Sequence, residues 1–315
     1  MNSEVVFCTY DSPTSIGGPF SDLGRLLPEL RKSGLNCRVI ALTHFGGTGP
    51  LIESLRRQGF EVHSTDCHDS IYDQIRWILS LVHDTPPAVF VPNFVTSAMF
   101  ASYWLKKAGA TTVGVLHSDD EYYRAIQNVF VSGTPDWALT DVVCVSEEIH
   151  RQVLASSPRH TNAVYIPYGV NIPQNCEPKS AETFKIAYVG RLVEEQKRIS
   201  HVTKALIAAC RNLPGVEAVI YGDGTDRNAV ERLIAETGAD LPIQLMGSTS
   251  PEDVAKGLSK CHVITLLSEY EGLPIALLEG MASSCVAICR HIKSGIPQLI
   301  EHQKTGFLIG DDVSD

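Results

Sequence analysis

At 315 residues, with 44% hydrophobic and 20% charged side chains, the chain is long for one core and comfortable for two globular domains. A net charge of -10 argues against a binder of phosphate backbones, so nucleic acid is not an expected partner. Any anionic ligand must then be held by a few local cations and backbone amides.

The nine cysteines include no CxxC pair, which argues against a redox motif or a zinc site and for a reducing compartment. The opening residues MNSEVVFCTY lack the basic and apolar regions of a signal peptide, and no apolar run has spanning length. The expected location is cytoplasmic, with peripheral membrane contact left open.

Short runs rich in β-branched residues alternate with helix-like segments along the whole chain. Residues 5–8 form the first expected strand, followed by an amphipathic stretch over 22–32 with Leu23, Leu26, Leu27 and Leu30 at helical spacing. Segments 37–41, 51–57 and 61–64 come next, then a helix over 71–82. Residues 88–92, a helix over 98–108, an apolar run over 111–116 and a helix near 120–130 continue the pattern, and 142–145 and 163–166 complete a first block.

Residues 167–183 are rich in proline and polar side chains without periodicity and read as a linker. A second alternating block runs through 184–189, 203–210, 216–221, 227–235, 243–246, 251–258, 263–267, 274–282 and 286–289, ending with 307–309. Strands apolar on both faces and separated by helices imply parallel sheets covered on both sides. The expected fold class is α/β, with two Rossmann-like domains over residues 1–170 and 184–315, a linker over 171–183, and a ligand cleft between the domains. Ligands in such sheets bind beyond the carboxyl ends of the strands.

Five strand-end motifs stand where that rule directs attention. Ser15-Ile16-Gly17-Gly18-Pro19 suits either a tight turn or close approach to a phosphate, with Pro19 in the first turn of the next helix. His117, after the run ending at Leu116, is either a surface histidine or one that faces the ligand crevice. Gly190-Arg191-Leu192, with Lys197 beyond it, suits a diphosphate, unless Glu194 and Glu195 neutralise both cations. Tyr221-Gly222-Asp223-Gly224 lacks a third glycine and reads as a turn capped by Asp223 or Thr225, which argues against a dinucleotide site. The fifth is the run from Ser268 to Ala282. Glu271 lies in its loop, Gly272 opens the turn, Pro274 sits near the helix start, and Glu279 lies on the helix in reach of a ribose. Amides over 272–275 would be unpaired and aimed at the crevice.

Taken together, these motifs resemble the retaining glycosyltransferases of the GT-B fold, in particular the GT4 family (glycosyl transferases group 1). The Glu-x7-Glu signature of that family is matched by Glu271 and Glu279. Its later turn is matched by Ser294-Gly295-Ile296-Pro297-Gln298, and the segment after that by Glu301 to Phe307. Gly190-Arg191-Leu192 with Lys197, the Gly17-Gly18 loop, the strand-end His117 and the helix start Val145-Ser146-Glu147 also match, in the family's order.

The resemblance implies a hexosyltransferase of polysaccharide biosynthesis that moves a sugar from a UDP- or GDP-sugar to a hydroxyl of a glycan or lipid-linked acceptor, with retention. Arg191 and Lys197 would neutralise the donor diphosphate, and Glu271 would hold a sugar hydroxyl. Gly272, Leu273 and Pro274 would bracket sugar and phosphate, and Glu279 would grip the ribose. Gly17 and Gly18 would close over the phosphate, His117 would touch the sugar, and Gly190, Gly247 and Ser248 would line the donor site. No Asp-x-Asp triplet occurs, so no metal or other cofactor is expected.

Three departures bear on this. Tyr168-Gly169-Val170-Asn171 replaces the family's Asn-Gly-Val-Asp, and Gly272-Leu273-Pro274 its Gly-Phe-Gly, where Pro274 removes one amide. Relatives usually continue through crossover helices that return to the first domain. Here the chain stops at Asp315, so either a shortened form or a different coupling of the domains is expected. Two other readings stay open, a nucleotide-sugar 2-epimerase and a non-catalytic nucleotide-sugar-binding protein.

Overall fold

The computed structural model describes residues 4–13, 17–44, 47–67, 70–173 and 178–310. Contacts divide the chain into two compact units, with the changeover between Pro167 and Tyr168. Residues 174–177 of the expected linker lie outside the described residues.

The first unit holds seven parallel strands: β1 (Glu4–Asp11), β2 (Asn36–Thr43), β3 (Glu61–Asp66), β4 (Val89–Asn93), β5 (Thr111–Leu116), β6 (Asp141–Cys144) and β7 (Asn162–Tyr165). Their order across the sheet is β3-β2-β1-β4-β5-β6-β7. Every residue of β2 after Asn36 is buried, as a strand covered on both faces requires. One layer of the core packs Val6, Cys8, Ile40 and Phe90, and another packs Phe7, Leu27, Val39 and Leu55.

The second unit holds six parallel strands: β8 (Phe184–Val189), β9 (Val216–Tyr221), β10 (Ile243–Gly247), β11 (Val263–Leu266), β12 (Val286–Arg290) and β13 (Gly306–Ile309). Their order is β10-β9-β8-β11-β12-β13. Ile186 of β8 pairs with Ala218 on one side and Val263 on the other, which makes β8 central. Tyr188, Ile220, Leu206 and Leu277 fill the core around it.

Each sheet is therefore doubly wound, and each has a topological switch point where the strand order reverses, at β1/β4 in the first and at β8/β11 in the second. A crevice forms beyond the carboxyl ends of the strands at such a point, because the loops on its two sides lead away in opposite directions.

Three helical segments differ from expectation. The amphipathic stretch begins earlier, as the helix Gly18–Lys32, with Pro19 in its first turn as expected. The segment near 120–130 is an α-helix, Glu121–Ile126, followed by a π-helical turn, Gln127–Val131, which buries Phe130 and Val131. A short helix, Glu194–Lys197, is separated from the helix Ile199–Asn212 by Arg198 in a left-handed conformation (φ 49°). Four residues are too few to show a helical period. Ser146 caps the helix Glu147–Ala155, accepting from the Ile149 amide as the motif there implied. Among the described residues no helix is long and apolar enough to cross a membrane.

Candidate donor-binding site

The switch point of the second sheet is braced by its turns. The Gly190 amide donates to Tyr221 O at 3.0 Å, and the Gly222 amide to Gly247 O at 2.9 Å, which links the ends of β8, β9 and β10. Gly222 has φ 140°, and a Cβ on it would lie 1.8 Å from Gly190 O, so only glycine lets the two turns approach. Leu192 donates to Asp223 O and accepts from the Asp226 amide. The capping expected of Asp223 or Thr225 is not what forms. Asp226 holds the N-cap position, and its carboxylate accepts from the Glu194 amide at 2.8 Å. Asp226 thus ties the two turns together, while Asp223 accepts from the adjacent Gly224 amide. The Tyr221-to-Gly224 stretch braces the neighbouring loop.

Two loops meet at the switch point. After β8, the Tyr188 hydroxyl donates to Arg191 O at 2.8 Å and fixes that backbone. Burial, and then the Glu271 carboxylate, push the Tyr188 phenol above its ordinary range, so it stays a neutral donor. The Arg191 side chain is exposed, and its Nη2 donates to Gln196 Oε1 at 2.5 Å. After β11, Glu271 is buried and forms an ion pair with Lys197, with side-chain exposures of 7% and 12%. The Ser268 hydroxyl, fully buried, donates to the same Glu271 Oε1 at 2.7 Å. Both donors reach one oxygen, and among the described residues none reaches Oε2.

Glu194 and Glu195 neutralise neither cation. The Glu194 carboxylate accepts from the Ser200 amide at 2.8 Å, and Glu195 from the Tyr270 hydroxyl at 3.3 Å. Gln196 and Lys197, adjacent in the short helix, hold Arg191 and Glu271 respectively.

The loop itself is pinned from behind, because the Gly295 amide donates to Gly272 O at 2.7 Å. Gly272, Leu273 and Pro274 are buried, and Pro274 is the N-cap of the helix Ile275–Ala282. Among the described residues no acceptor meets the amides of Gly272, Leu273 or Ile275, and Pro274 has none to offer. Glu279 lies one turn inside that helix, partly exposed. Gly247 ends β10 with φ 69°, and Ser248 follows it on the surface.

At the first sheet, Ser15 and Ile16 lie outside the described residues; Gly17 follows them and Gly18 opens its helix. His117 is not a surface residue: it is buried just past β5, and its Nε2 donates to Asn93 Oδ1 at 2.5 Å. Burial lowers its pKa to about 3, so it is a neutral imidazole. Phe94 and Tyr123 meet it edge-on, at 5.6 Å and 5.9 Å between centroids.

Sequence reasoning did not single out Gln196, Ser268 or Asn93. Ser268 was legible as part of the strand-end run, whereas Gln196 carries no signal without the fold. Among the described residues no group of three or more His, Cys, Asp or Glu side chains is placed to hold a metal ion.

Residues 174–315 match the family model described as Glycosyl transferases group 1. The matched segment contains Arg191, Lys197, Glu271 and Glu279. Among curated relatives, the exopolysaccharide phosphotransferase SCO2592 of Streptomyces coelicolor is 28% identical over 44% of this chain and 14% of its own length. The UDP-N-acetylglucosamine--peptide N-acetylglucosaminyltransferase GtfA subunit of Limosilactobacillus reuteri is 27% identical over 52% of this chain and 32% of its own. The matches thus span about a third or less of these relatives. The solved pneumococcal O-GlcNAc transferase GtfA, in complex with UDP and GlcNAc, is similar with a TM-score of 0.74. That likeness covers 99% of this chain and 88% of the other at 14% identity, and it is one of fold, the GT-B type with two Rossmann-like domains.

Proposed function

We propose that this chain is a retaining glycosyltransferase that moves a sugar from a nucleotide-sugar, a UDP-sugar in the first instance, to a hydroxyl of a glycan or lipid-linked acceptor. The observation that carries the reading is the convergence of Arg191, Lys197 and Glu271 at the β8/β11 switch point, beside a helix start with unpaired amides. The name of the pneumococcal relative, solved with UDP, favours a uridine nucleotide.

In this reading Arg191 and Lys197 take the charge that develops on the leaving diphosphate, with no metal, and the amides of Gly272, Leu273 and Ile275 take its oxygens. Glu271 holds a sugar hydroxyl through Oε2, since Lys197 and Ser268 occupy Oε1. A carboxylate tied down by two donors suits orientation better than nucleophilic attack. The acceptor oxygen therefore attacks the anomeric carbon on the face the diphosphate leaves. As the carbon–phosphate-oxygen bond breaks, the departing phosphate oxygen takes the acceptor's proton. Glu279 is assigned to the ribose, and Gly190, Gly247 and Ser248 to the donor's nucleotide side. His117, neutral, is assigned to a sugar hydroxyl, and Gly17 and Gly18 to the phosphate.

The test is nucleotide release from a panel of UDP- and GDP-sugars, with and without a hydroxyl acceptor, in the presence of a chelator. Release that requires acceptor, survives the chelator and yields product with the donor's anomeric configuration is expected. Donor conversion without acceptor would point to epimerisation, and binding without turnover to a non-catalytic role. Loss of release on chelation would overturn the metal-independent step.

A further inference from the structure

Basic side chains at the second switch point are held in two different ways. Lys197 is paired with Glu271, and Arg290 with Glu269 at 2.7 Å; Arg198 also reaches Glu269, at 3.3 Å. Arg191 is different. Its guanidinium is held by the amide oxygen of Gln196, and among the described residues no carboxylate reaches it.

That amide is itself fixed. Gln196 is buried, its Nε2 donates to Tyr270 O at 3.3 Å, and its own carbonyl accepts from the Glu269 amide at 2.8 Å. A carbonyl only accepts and a guanidinium only donates, so the amide has one orientation that satisfies both, with Oε1 toward Arg191. Glu195 accepts from the Tyr270 hydroxyl, and Glu269 pairs with Arg290 and Arg198.

We propose that Gln196 is a positioning residue, which orients Arg191 through an uncharged acceptor and leaves its full charge for a diphosphate. The inference rests on the donor reading above and extends it to a residue that touches no donor atom. An acidic residue at position 196 would still accept from Arg191, but it would lose the donor to Tyr270 O and would cancel the charge that the ligand needs. A group whose task is only to hold the loops together has no such preference for neutrality.

The experiment measures binding of UDP, and of uridine as a probe without phosphate, to the wild-type chain and to Gln196→Glu, Gln196→Met and Arg191→Ala. Gln196→Glu is expected to bind UDP roughly tenfold more weakly than wild type, as one cancelled charge near a partly exposed anion implies. Its affinity for uridine should be unchanged. Gln196→Met, which frees the guanidinium but keeps its charge, should bind UDP better than Gln196→Glu. Equal UDP affinity of Gln196→Glu and wild type would overturn the inference, as would equal losses for UDP and uridine. If wild type fails to bind UDP, or Arg191→Ala binds it unchanged, the donor reading itself falls and takes the inference with it.

Discussion

Both sheets set their first strand beside their fourth, yet the two switch points are furnished with opposite kinds of chemistry. At β8/β11 the side chains are charged: Arg191 held by a neutral amide, and Lys197 paired with a buried Glu271. At the end of β4 and the neighbouring end of β5 they are uncharged, and the buried Asp11 carboxylate that ends β1 accepts from the Gly49 and Ile52 amides. Asn93, in a left-handed conformation (φ 51°), faces an uncharged His117, and Phe94 and Tyr123 pack around the imidazole. The Thr96 and Tyr122 hydroxyls meet at 3.0 Å close by. Strand order makes a crevice in each case; the residues at the strand ends decide what each crevice suits. A charged one suits a diphosphate, and a neutral one with aromatic walls suits sugar hydroxyls. Fold alone does not assign function, and the two units of this chain illustrate that within one molecule.

The comparison breaks first at Lys197. Lys197→Ala removes a cation assigned to the leaving group and strands Glu271, which is only 7% exposed. Donor turnover at saturating substrate should fall roughly a hundredfold or more, the usual cost of deleting one transition-state donor. Global stability should fall by about 3 kcal/mol, as for a buried pair that loses one partner. Turnover equal to wild type would remove the phosphate role of Lys197, and with it the claim that the second switch point is built for charge. Lys197→Ala together with Glu271→Gln should recover stability without recovering turnover.

A smaller effect is expected at Ser268, whose hydroxyl shares Glu271 Oε1 with Lys197. Ser268→Ala deletes a hydrogen bond to a charged group, worth about 2 kcal/mol. Because Lys197 still holds the carboxylate, kcat/KM should fall by roughly tenfold, with UDP affinity little changed. Loss of UDP affinity instead would mean that Ser268 serves the phosphate and not the carboxylate.

The fold was readable in the chain because parallel strands covered on both faces declare themselves as apolar runs, and β2 and β11 are such runs. Positions such as Glu271, Lys197 and His117 were readable because they follow those runs and strand ends face ligands. What could not be read is who partners whom. Lys197 and Glu271 are distant in sequence, and their pairing depends on β8 lying beside β11, a matter of strand order. Gln196 sits in a helix of four residues without periodicity, and its role exists only once two loops converge on it. The burial of His117 could not be read for a related reason: β4 and its following loop cover it.

The neutrality of the first switch point has a signature of its own in acid. His117 has its pKa lowered to about 3 by burial, whereas a histidine in the unfolded chain titrates near its ordinary value, about 6.5. Between those values the unfolded chain binds a proton that the folded chain refuses. Stability from this group is therefore complete above about pH 6.5 and is lost as pH falls toward the folded value, at up to about 1.4 kcal/mol per pH unit. His117→Gln keeps a side chain able to hydrogen-bond with Asn93 and cannot titrate. Its denaturant-derived stability should fall less steeply than wild type between about pH 6 and about pH 4, by close to that slope. Asp22, whose pKa burial raises to about 6, works with the opposite sign, since its protonated form is favoured by folding. It is common to both proteins and cancels in their difference. Parallel slopes would show that His117 is charged in the folded state, and the contrast between a charged and a neutral switch point would then not hold.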